Sequence, residues 1–382
     1  YTYYNYWDGA QWHTRLRVIN DEDTFYSSVA VAPGEGVMLA WFQRWTQSLG
    51  GPIDPGEPTI PRTAYGTTPG KFLLRQAVFV AVAVVQALLG ILQLGASAGS
   101  PLYFGNVHGG GASTGTYVNR NHFAALMAMA LPSALVLWYL ETRTSRDEHG
   151  EALMPHPRQR DRWLAMQIAL GLPVLFLLVA LVFSMSRGGI GSGFLAFALA
   201  SFALAPRALS MPSRIAFGMI GLGALALSLY IGLTPVLDRF APDPLSSGFQ
   251  GRGLIAAASF RAALDFLPFG SGLGTFAYAF PRYQLEVFSG FIDHAHNDYA
   301  ELFLELGVAG AAIVALLGSA YLQRWAPVLR AAGTRSLGRL QVAAGLGMLA
   351  MLLHGLVDFN FHIPANAVYF SFLAGIFFHR GQ

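Results

Sequence analysis

Ionisable side chains are concentrated in one short stretch, DHAHND at residues 293–298, which lies just before a long apolar run. Histidine changes its charge near neutral pH and aspartate is negative there, so these residue types suit proton transfer, anion recognition or metal ligation. Ionisable groups beside a membrane helix are costly to place and usually functional. The remaining elements of the chain must therefore decide between these chemistries.

The composition indicates a polytopic membrane protein. Of 382 residues, 54% are hydrophobic and only 12% are charged, whereas soluble domains carry about 25% charged residues. The chain has no cysteine, which excludes disulfides and thiolate chemistry. The net charge of +3 is too small to indicate a nucleic-acid partner.

Eight apolar stretches are long enough to cross a bilayer, which requires roughly 20 residues. They are residues 74–96, 122–141, 163–185, 188–206, 214–234, 303–323, 338–357 and 364–379. The predicted fold class is therefore an all-α polytopic integral membrane protein. One long loop, residues 235–302, is predicted to contain short helices, among them an amphipathic helix at 252–267 followed by a glycine-rich turn.

Basic residues in the connecting segments predict the orientation. Arginines occur in segments 142–162, 207–214 and 324–339, and these segments share one side of the membrane if the eight spans alternate. That side is predicted to be cytoplasmic. Loop 235–302, with the stretch 293–298 at its end, then faces the opposite side.

Polar residues from several separate segments collect on this predicted outer face. They are Arg120, His122, Arg187, Arg252, His294, His296, Asn297, Asp298, Asp358 and His362. The planar fork of arginine binds two phosphate oxygens at once. A basic pocket at the membrane boundary therefore favours an anionic ligand whose tail stays in the lipid, such as a lipid-linked phosphate or diphosphate.

A metal site is the alternative for the stretch 293–298, with His294, His296 and the flanking aspartates as ligands. On a helix, side chains two residues apart point about 200° apart, so the two imidazoles would diverge, whereas on a strand they would share a face. No other segment supplies metal-ligand spacing, and nearby arginines would repel a cation. We therefore predict no metal and no other cofactor.

Each outer-face residue also has a structural interpretation. Arg187 could cap a helix, and Arg120 and His122 could anchor helices at the interface. His354 and Asp358 are four residues apart, so they are predicted to share one helix face, where they could join helices as a polar pair. The functional interpretation depends on the convergence of these residues on one face.

Several motifs together resemble the O-antigen ligase and O-antigen polymerase superfamily of bacterial membrane glycosyltransferases. His296 and Asn297, then nine residues, Gly, two residues and Gly, fit the family's spacing. SRGG at 186–189 resembles its arginine turn, and GRGLIAAASFRAALDFLPFGSGLGTF resembles its loop segment. TGTYVNRNHFA and HGLVDFNFHIPANA are similar to motifs of one branch. The resemblance covers roughly residues 75–380.

The resemblance implies a GT-C-like helical bundle that transfers a glycan from undecaprenyl diphosphate without a metal. It implies that Arg187 and Arg252 bind the diphosphate and that His296 is the essential histidine. His296 would take a proton from the acceptor hydroxyl or bind phosphate as a cation, with Asn297 or Asp298 orienting its ring. The remaining residues are expected to bind substrate: Arg120, His122, His294, Asp358 and His362.

The implied partners are an undecaprenyl-diphosphate-linked glycan donor, the lipid bilayer and an acceptor. The acceptor would be lipid A core for a ligase or another lipid-linked glycan for a polymerase, and a relative transfers glycan to protein hydroxyls. No acceptor motif distinguishes these. The implied location is the bacterial inner membrane, with the active site facing the periplasm.

Family members have about a dozen spans, so we expect further helices before the first residue of this chain. No role is predicted for residues 1–70, and residues 71–382 are predicted to form the transmembrane glycan-transferase domain.

Two other classes of protein stay open. A transporter of an anionic lipid or glycan would tend to show inverted repeats and charge near mid-membrane. A non-catalytic lipid-binding protein would tolerate loss of His296.

Overall fold

The structure is a computed structural model with two compact units, Tyr1–Tyr65 and Gly66–Gln382. The residues that it describes are 4–7, 12–15, 27–31, 37–41, 69–97, 99–104, 106, 110–143, 157–204, 248–288, 290–332 and 336–380. The first unit contains two antiparallel hairpins. They are formed by β1 (Tyr4–Trp7) with β2 (Trp12–Arg15), and by β3 (Ser27–Val31) with β4 (Val37–Trp41).

The described elements of the second unit are all helical, as the predicted fold class requires. They are α1 (Pro69–Leu94), α2 (Arg120–Arg143), α3 (Pro157–Phe183), α4 (Arg187–Leu204), α5 (Gly248–Asp265), α6 (Phe276–Ala279), α7 (Asp298–Ala332), α8 (Ser336–His354) and α9 (Pro364–Phe378). Short 3₁₀ turns occur at Pro101–Tyr103, Phe280–Arg282 and Asn360–His362. The four strands of the first unit were not predicted.

Four of the described helices are long and apolar enough to cross a membrane. These spans are Leu73–Leu94, Arg120–Leu140, Asp298–Ala332 and Ser336–His354, and shorter apolar helices occur at Ile168–Phe183 and Pro364–Phe378. They support a membrane protein. The predicted span at 214–234 and the first part of loop 235–302 lie outside the described residues, so the count of eight spans stays a prediction.

Helix α2 is the central helix of the bundle. Its side chains are buried from Phe123 to Leu131, and it packs against α1, α3, α4 and α8. A helix that is apolar on every side is expected to be surrounded by other helices. By contrast, Leu74 of α1 and Leu316 of α7 are exposed, as expected for helix faces that contact lipid. The polar start of α2 is therefore held within the bundle.

Helix α7 is kinked at Gly307, which has φ 56° and ψ −133°. The kink frees backbone groups that the glycine-rich turn after α5 then pairs. Ser271 N–H donates to the Leu304 carbonyl and Gly272 N–H donates to the Glu305 carbonyl, each at 2.9 Å. Val308 N–H in turn donates to the Pro268 carbonyl at 2.9 Å. These bonds fix the loop to the first turns of α7.

Replacing Gly307 with alanine is expected to destabilise the fold by about 3 kcal/mol or more. The added Cβ would lie 2.2 Å from the Pro268 carbonyl oxygen, in a backbone conformation that L side chains rarely adopt. The midpoint of thermal unfolding in detergent measures the effect. Gly318→Ala, on the same helix, is the control, because nothing lies within 4 Å of the Cβ that it adds. Equal midpoints for the two variants would contradict the prediction.

A small apolar core attaches α5 to the first turns of α7. Its members are Ile255, Ala258, Ala262, Ala263, Phe276, Phe280, Ile292, Ala295, Ala300 and Leu304. Small residues on α5 allow its backbone to approach α7 closely, and burial of the aromatic rings stabilises the contact. This packing carries the Arg252 end of α5 toward the segment that precedes α7.

Candidate functional site

Asp358 joins residues from three separate segments. It lies in the turn after α8, and its side chain is fully buried at 0% exposure. Arg252 Nη1 of α5 donates to Asp358 Oδ2 at 3.2 Å and to the Val357 carbonyl at 3.0 Å. His296 Nδ1 lies 3.4 Å from Asp358 Oδ1, and His122 Nε2 lies 4.0 Å from the same oxygen. We call these four residues the Asp358 cluster.

The charge of Asp358 is set by its neighbours. Burial alone raises the pKa of this carboxyl, but the hydrogen bond from His296 and the charge of Arg252 outweigh burial and lower the pKa below its ordinary value. A buried carboxylate is stable only when it is paired. Asp358 is therefore an ionised group that holds His296 and Arg252 in place, and both of those side chains are 25% exposed.

The predicted helical pairing of His354 and Asp358 is wrong. Helix α8 ends at His354, so Asp358 belongs to the following turn and not to a shared helix face. In this turn, the Val357 carbonyl and the Asp358 carboxylate both accept hydrogen bonds from Arg252. His354, the last residue of α8, is fully buried against the glycines near the start of α4.

His296 has an uncommon backbone conformation, with φ at 49° in the left-handed region. Neighbouring hydrogen bonds hold it there. Ala295 N–H donates to Glu301 Oε2 at 2.8 Å, and Asp298 N–H donates to the Gly355 carbonyl at 2.8 Å. Strained backbone persists where surrounding contacts fix it, often at functional sites. The result is an imidazole that faces Asp358.

Arg187 begins α4 directly beside the same turn. A Cβ added to the next residue, Gly188, would lie 2.6 Å from Val357 Cγ2 and 2.8 Å from His354 Cδ2. Only glycine allows α4 to approach the end of α8 so closely. The arginine turn therefore packs against the segment whose Val357 carbonyl accepts a hydrogen bond from Arg252.

A second polar cluster lies at the start of α7, and we call it the Glu301 cluster. His294 Nδ1 is 2.8 Å from Glu301 Oε1, and His362 Nε2 is 3.3 Å from the same oxygen. His362 Nδ1 is 3.1 Å from Asp298 Oδ1. The two carboxylates are buried, so their charges depend on these imidazoles.

The imidazoles of the Glu301 cluster favour their charged forms. Burial lowers the pKa of His294, but its hydrogen bond to Glu301 and the charge of that carboxylate outweigh burial and raise the pKa overall. The hydrogen bond to Asp298 raises the pKa of His362 against the opposing effect of burial.

Phe359 contacts both clusters. Its ring stacks on His294 with centroids 4.1 Å apart, and it lies 4.8 Å from His122 and 5.2 Å from His296. The phenyl ring therefore supports three predicted site histidines and fixes the distance between the two clusters.

Residues 172–315 match the family model described as O-Antigen ligase. Because of this similarity, we call residues 172–315 the O-antigen ligase region. The match confirms the predicted resemblance to the O-antigen ligase and polymerase superfamily, and it supports glycan transfer of that type in general. No curated protein matches the chain.

The O-antigen ligase region contains Arg187, Arg252 and the stretch 293–298. The other predicted site residues lie outside it, at Arg120, His122, Asp358 and His362. The structure brings His122 and Asp358 to the region's Arg252 and His296, and it brings His362 to His294. Arg120 begins α2, two residues before His122.

The sequence predicts that Asn297 or Asp298 orients the His296 ring, but the hydrogen bonds of these two side chains go to other groups. Asn297 caps α7, because its Oδ1 accepts hydrogen bonds from the N–H groups of Tyr299 and Ala300. Asp298 pairs with His362. The carboxylate beside His296 is Asp358, which follows it by 62 residues.

No prediction was made from the sequence for Glu301 or Phe359, which contact the predicted residues of the two clusters. Glu301 and Glu305 follow Asp298 at helical spacing in an apolar run, and acidic residues there are a signal of function. Phe359 gave no such signal, because an aromatic residue near a membrane boundary is common.

Proposed function

We propose that the protein transfers a glycan from an undecaprenyl-diphosphate-linked donor to an acceptor at the periplasmic face of the bacterial inner membrane. It would act as an O-antigen ligase or surface-polysaccharide polymerase, without a metal and with inversion at the anomeric carbon. The observation that carries this proposal is the pairing of Arg252 and His296 through one buried carboxylate, Asp358. Phosphate-binding and proton-accepting groups are thereby held side by side.

The donor's diphosphate is proposed to bind Arg252 and Arg187. Arg252 uses Nη1 for Asp358 and Val357, and a guanidinium has five N–H donors in all, so others can reach phosphate oxygens. The polyprenyl tail would remain among lipid-facing helices. Arginines held by protein contacts before the donor arrives stabilise the charge that develops on the leaving diphosphate.

His296 is proposed to act as the general base. Its Nδ1 faces Asp358, which favours the tautomer with the proton on Nδ1 and leaves Nε2 as the acceptor. The acceptor hydroxyl oxygen forms a bond to the anomeric carbon while the bond from that carbon to the diphosphate oxygen breaks. The hydroxyl proton moves to Nε2, and the Asp358 carboxylate stabilises the resulting imidazolium.

The identity of the acceptor distinguishes a ligase, a polymerase and a protein O-oligosaccharyltransferase, because all three share this donor chemistry. The substrate-binding set of the proposal comprises Arg120, His122, His294, Asn297, Asp298, Asp358 and His362. Within this set, the buried residues Asn297, Asp298 and Asp358 are assigned to positioning neighbouring groups. The half-exposed residues His294 and His362 are assigned to the acceptor side.

Arg187→Lys tests the donor site, because lysine keeps the charge and loses the planar fork. Purified protein in detergent is given undecaprenyl-diphosphate-linked glycan with EDTA, and donor consumption and product mass are followed. We expect wild type to consume the donor and Arg187→Lys to be about 10- to 100-fold slower. Arg261→Lys, on the exposed face of α5, is the matched control and is expected to keep wild-type activity.

Near-normal turnover by Arg187→Lys would remove Arg187 from diphosphate binding. A wild-type rate that EDTA abolishes without lowering the thermal unfolding midpoint would contradict metal-independent transfer. Absence of donor consumption with every acceptor tested would favour the transporter class instead. The mass of the product names the acceptor.

A further inference from the structure

The Glu301 cluster has the donor atoms of a metal site. His294 Nδ1 and His362 Nε2 face one carboxylate oxygen, Glu301 Oε1, at 2.8 Å and 3.3 Å. All three donor atoms lie within 4.8 Å of one another. Ligands at about 2.0–2.1 Å from a tetrahedral zinc ion are about 3.3 Å apart. Shifts of about 1 Å in the side chains would therefore bring the three donor atoms to the spacing of zinc ligands.

Neighbouring side chains and a backbone N–H group orient the three donor atoms for metal binding. Asp298 Oδ1 lies 3.1 Å from His362 Nδ1, which leaves Nε2 facing Glu301. Histidine ligands in metal sites commonly donate their second N–H to a carboxylate in this way. The other oxygen of Glu301 accepts the Ala295 N–H at 2.8 Å. The His294 ring is stacked on Phe359 at 15°.

The charge of the cluster also favours a divalent cation. Asp298 and Glu301 are 6% and 1% exposed, so two carboxyl groups converge in a buried position where a cation can pair with them. His294 and His296 diverge although residues 293–297 form neither a helix nor a strand, because His296, with its left-handed backbone, faces Asp358. The partners of His294 come instead from α7 and from the 3₁₀ turn at 360–362.

We propose that His294 Nδ1, Glu301 Oε1 and His362 Nε2 bind one Zn²⁺ ion, with Asp298 as the positioning residue. His294 and His362 are 27% and 34% exposed, so the ion can reach the site from solvent. The zinc ion joins the segment before α7, α7 itself and the turn after α8. Three protein ligands leave the fourth position of a tetrahedral site open to water, and no step of glycan transfer is assigned to the ion.

Zinc binding to the whole chain tests the proposal. Protein is purified in detergent with an affinity tag that contains no histidine, stripped with chelator and dialysed. Isothermal titration with ZnCl₂ is expected to give one ion per chain and to raise the thermal unfolding midpoint. Co²⁺ is expected to give the visible absorption bands of a site with imidazole and carboxylate ligands.

Two ligand variants, one variant of the positioning residue and one control identify the residues. His362→Gln and Glu301→Gln are each expected to weaken zinc binding at least 100-fold, and Asp298→Asn about 10- to 100-fold. His296→Gln is the matched control and is expected to bind zinc as wild type does. The unfolding midpoint without metal shows whether each variant is folded, and His294→Gln replaces any variant that is not.

Absence of a single stoichiometric zinc ion in wild type overturns the proposal. So does equal zinc affinity in wild type and the folded ligand variants, which would place the ion elsewhere. Loss of zinc binding in His296→Gln would assign the ion to the Asp358 cluster and overturn the ligand set.

Discussion

Replacing His296 with alanine is expected to lower glycan transfer by about 10³-fold while leaving the protein folded. General acid–base groups contribute about 10²- to 10⁴-fold to a rate. His296 is the quarter-exposed imidazole held against buried Asp358, so no other side chain in the Asp358 cluster can replace it directly. The initial rate of donor consumption measures the loss, and the thermal unfolding midpoint measures folding.

The matched control is His379→Ala, because His379 follows α9 and lies outside both clusters. It is expected to keep the wild-type rate. Equal donor consumption by His296→Ala and wild type would remove His296 from catalysis and favour a non-catalytic protein. Loss of the folded state would be a structural effect, and His296→Gln then repeats the measurement with a polar side chain of similar reach.

Much of the helical bundle could be predicted because hydropathy is a local property. The apolar runs at 74–96 and 163–185 correspond closely to α1 and α3. Helix α7 begins at Asp298, five residues before the predicted span at 303–323. The reason is that its first turns carry buried acidic residues, which face the polar clusters and give no hydropathy signal.

The pairings within the site could not be predicted from local pattern. Asp358 meets His296 and Arg252 across 62 and 106 residues. The four-residue spacing to His354 favoured a different, helical pairing, and the end of α8 at His354 excludes it. His294 and His296 are two residues apart, yet a left-handed backbone at His296 directs them to different carboxylates.

Replacing Asp358 with asparagine is expected to lower transfer by about 10²- to 10⁴-fold. Asparagine keeps the size of the side chain but removes its charge. Its amide can donate to His296 Nδ1, which would favour the wrong tautomer and place the proton on the nitrogen that must accept one. Arg252 simultaneously loses the carboxylate that holds Nη1 at 3.2 Å.

The stability of the same variant is expected to fall by about 3 kcal/mol, because removing one partner of a buried ion pair leaves the other uncompensated. This value is at the lower end for such pairs, since Arg252 and His296 are 25% exposed and water can reach them. Thermal unfolding measures the loss, and transfer rates are expressed per folded protein.

Asp293→Asn is the matched control for Asp358→Asn, because Asp293 is an exposed aspartate in the same polar region. It is expected to change neither stability nor transfer appreciably. The kinetic constants of Asp358→Asn then test the shared role of the carboxylate. A lower kcat reports the misplaced proton of His296, and a higher KM for the donor reports the released Arg252. A change in KM alone would separate His296 from Asp358, and unchanged kinetics would remove the buried carboxylate from the mechanism.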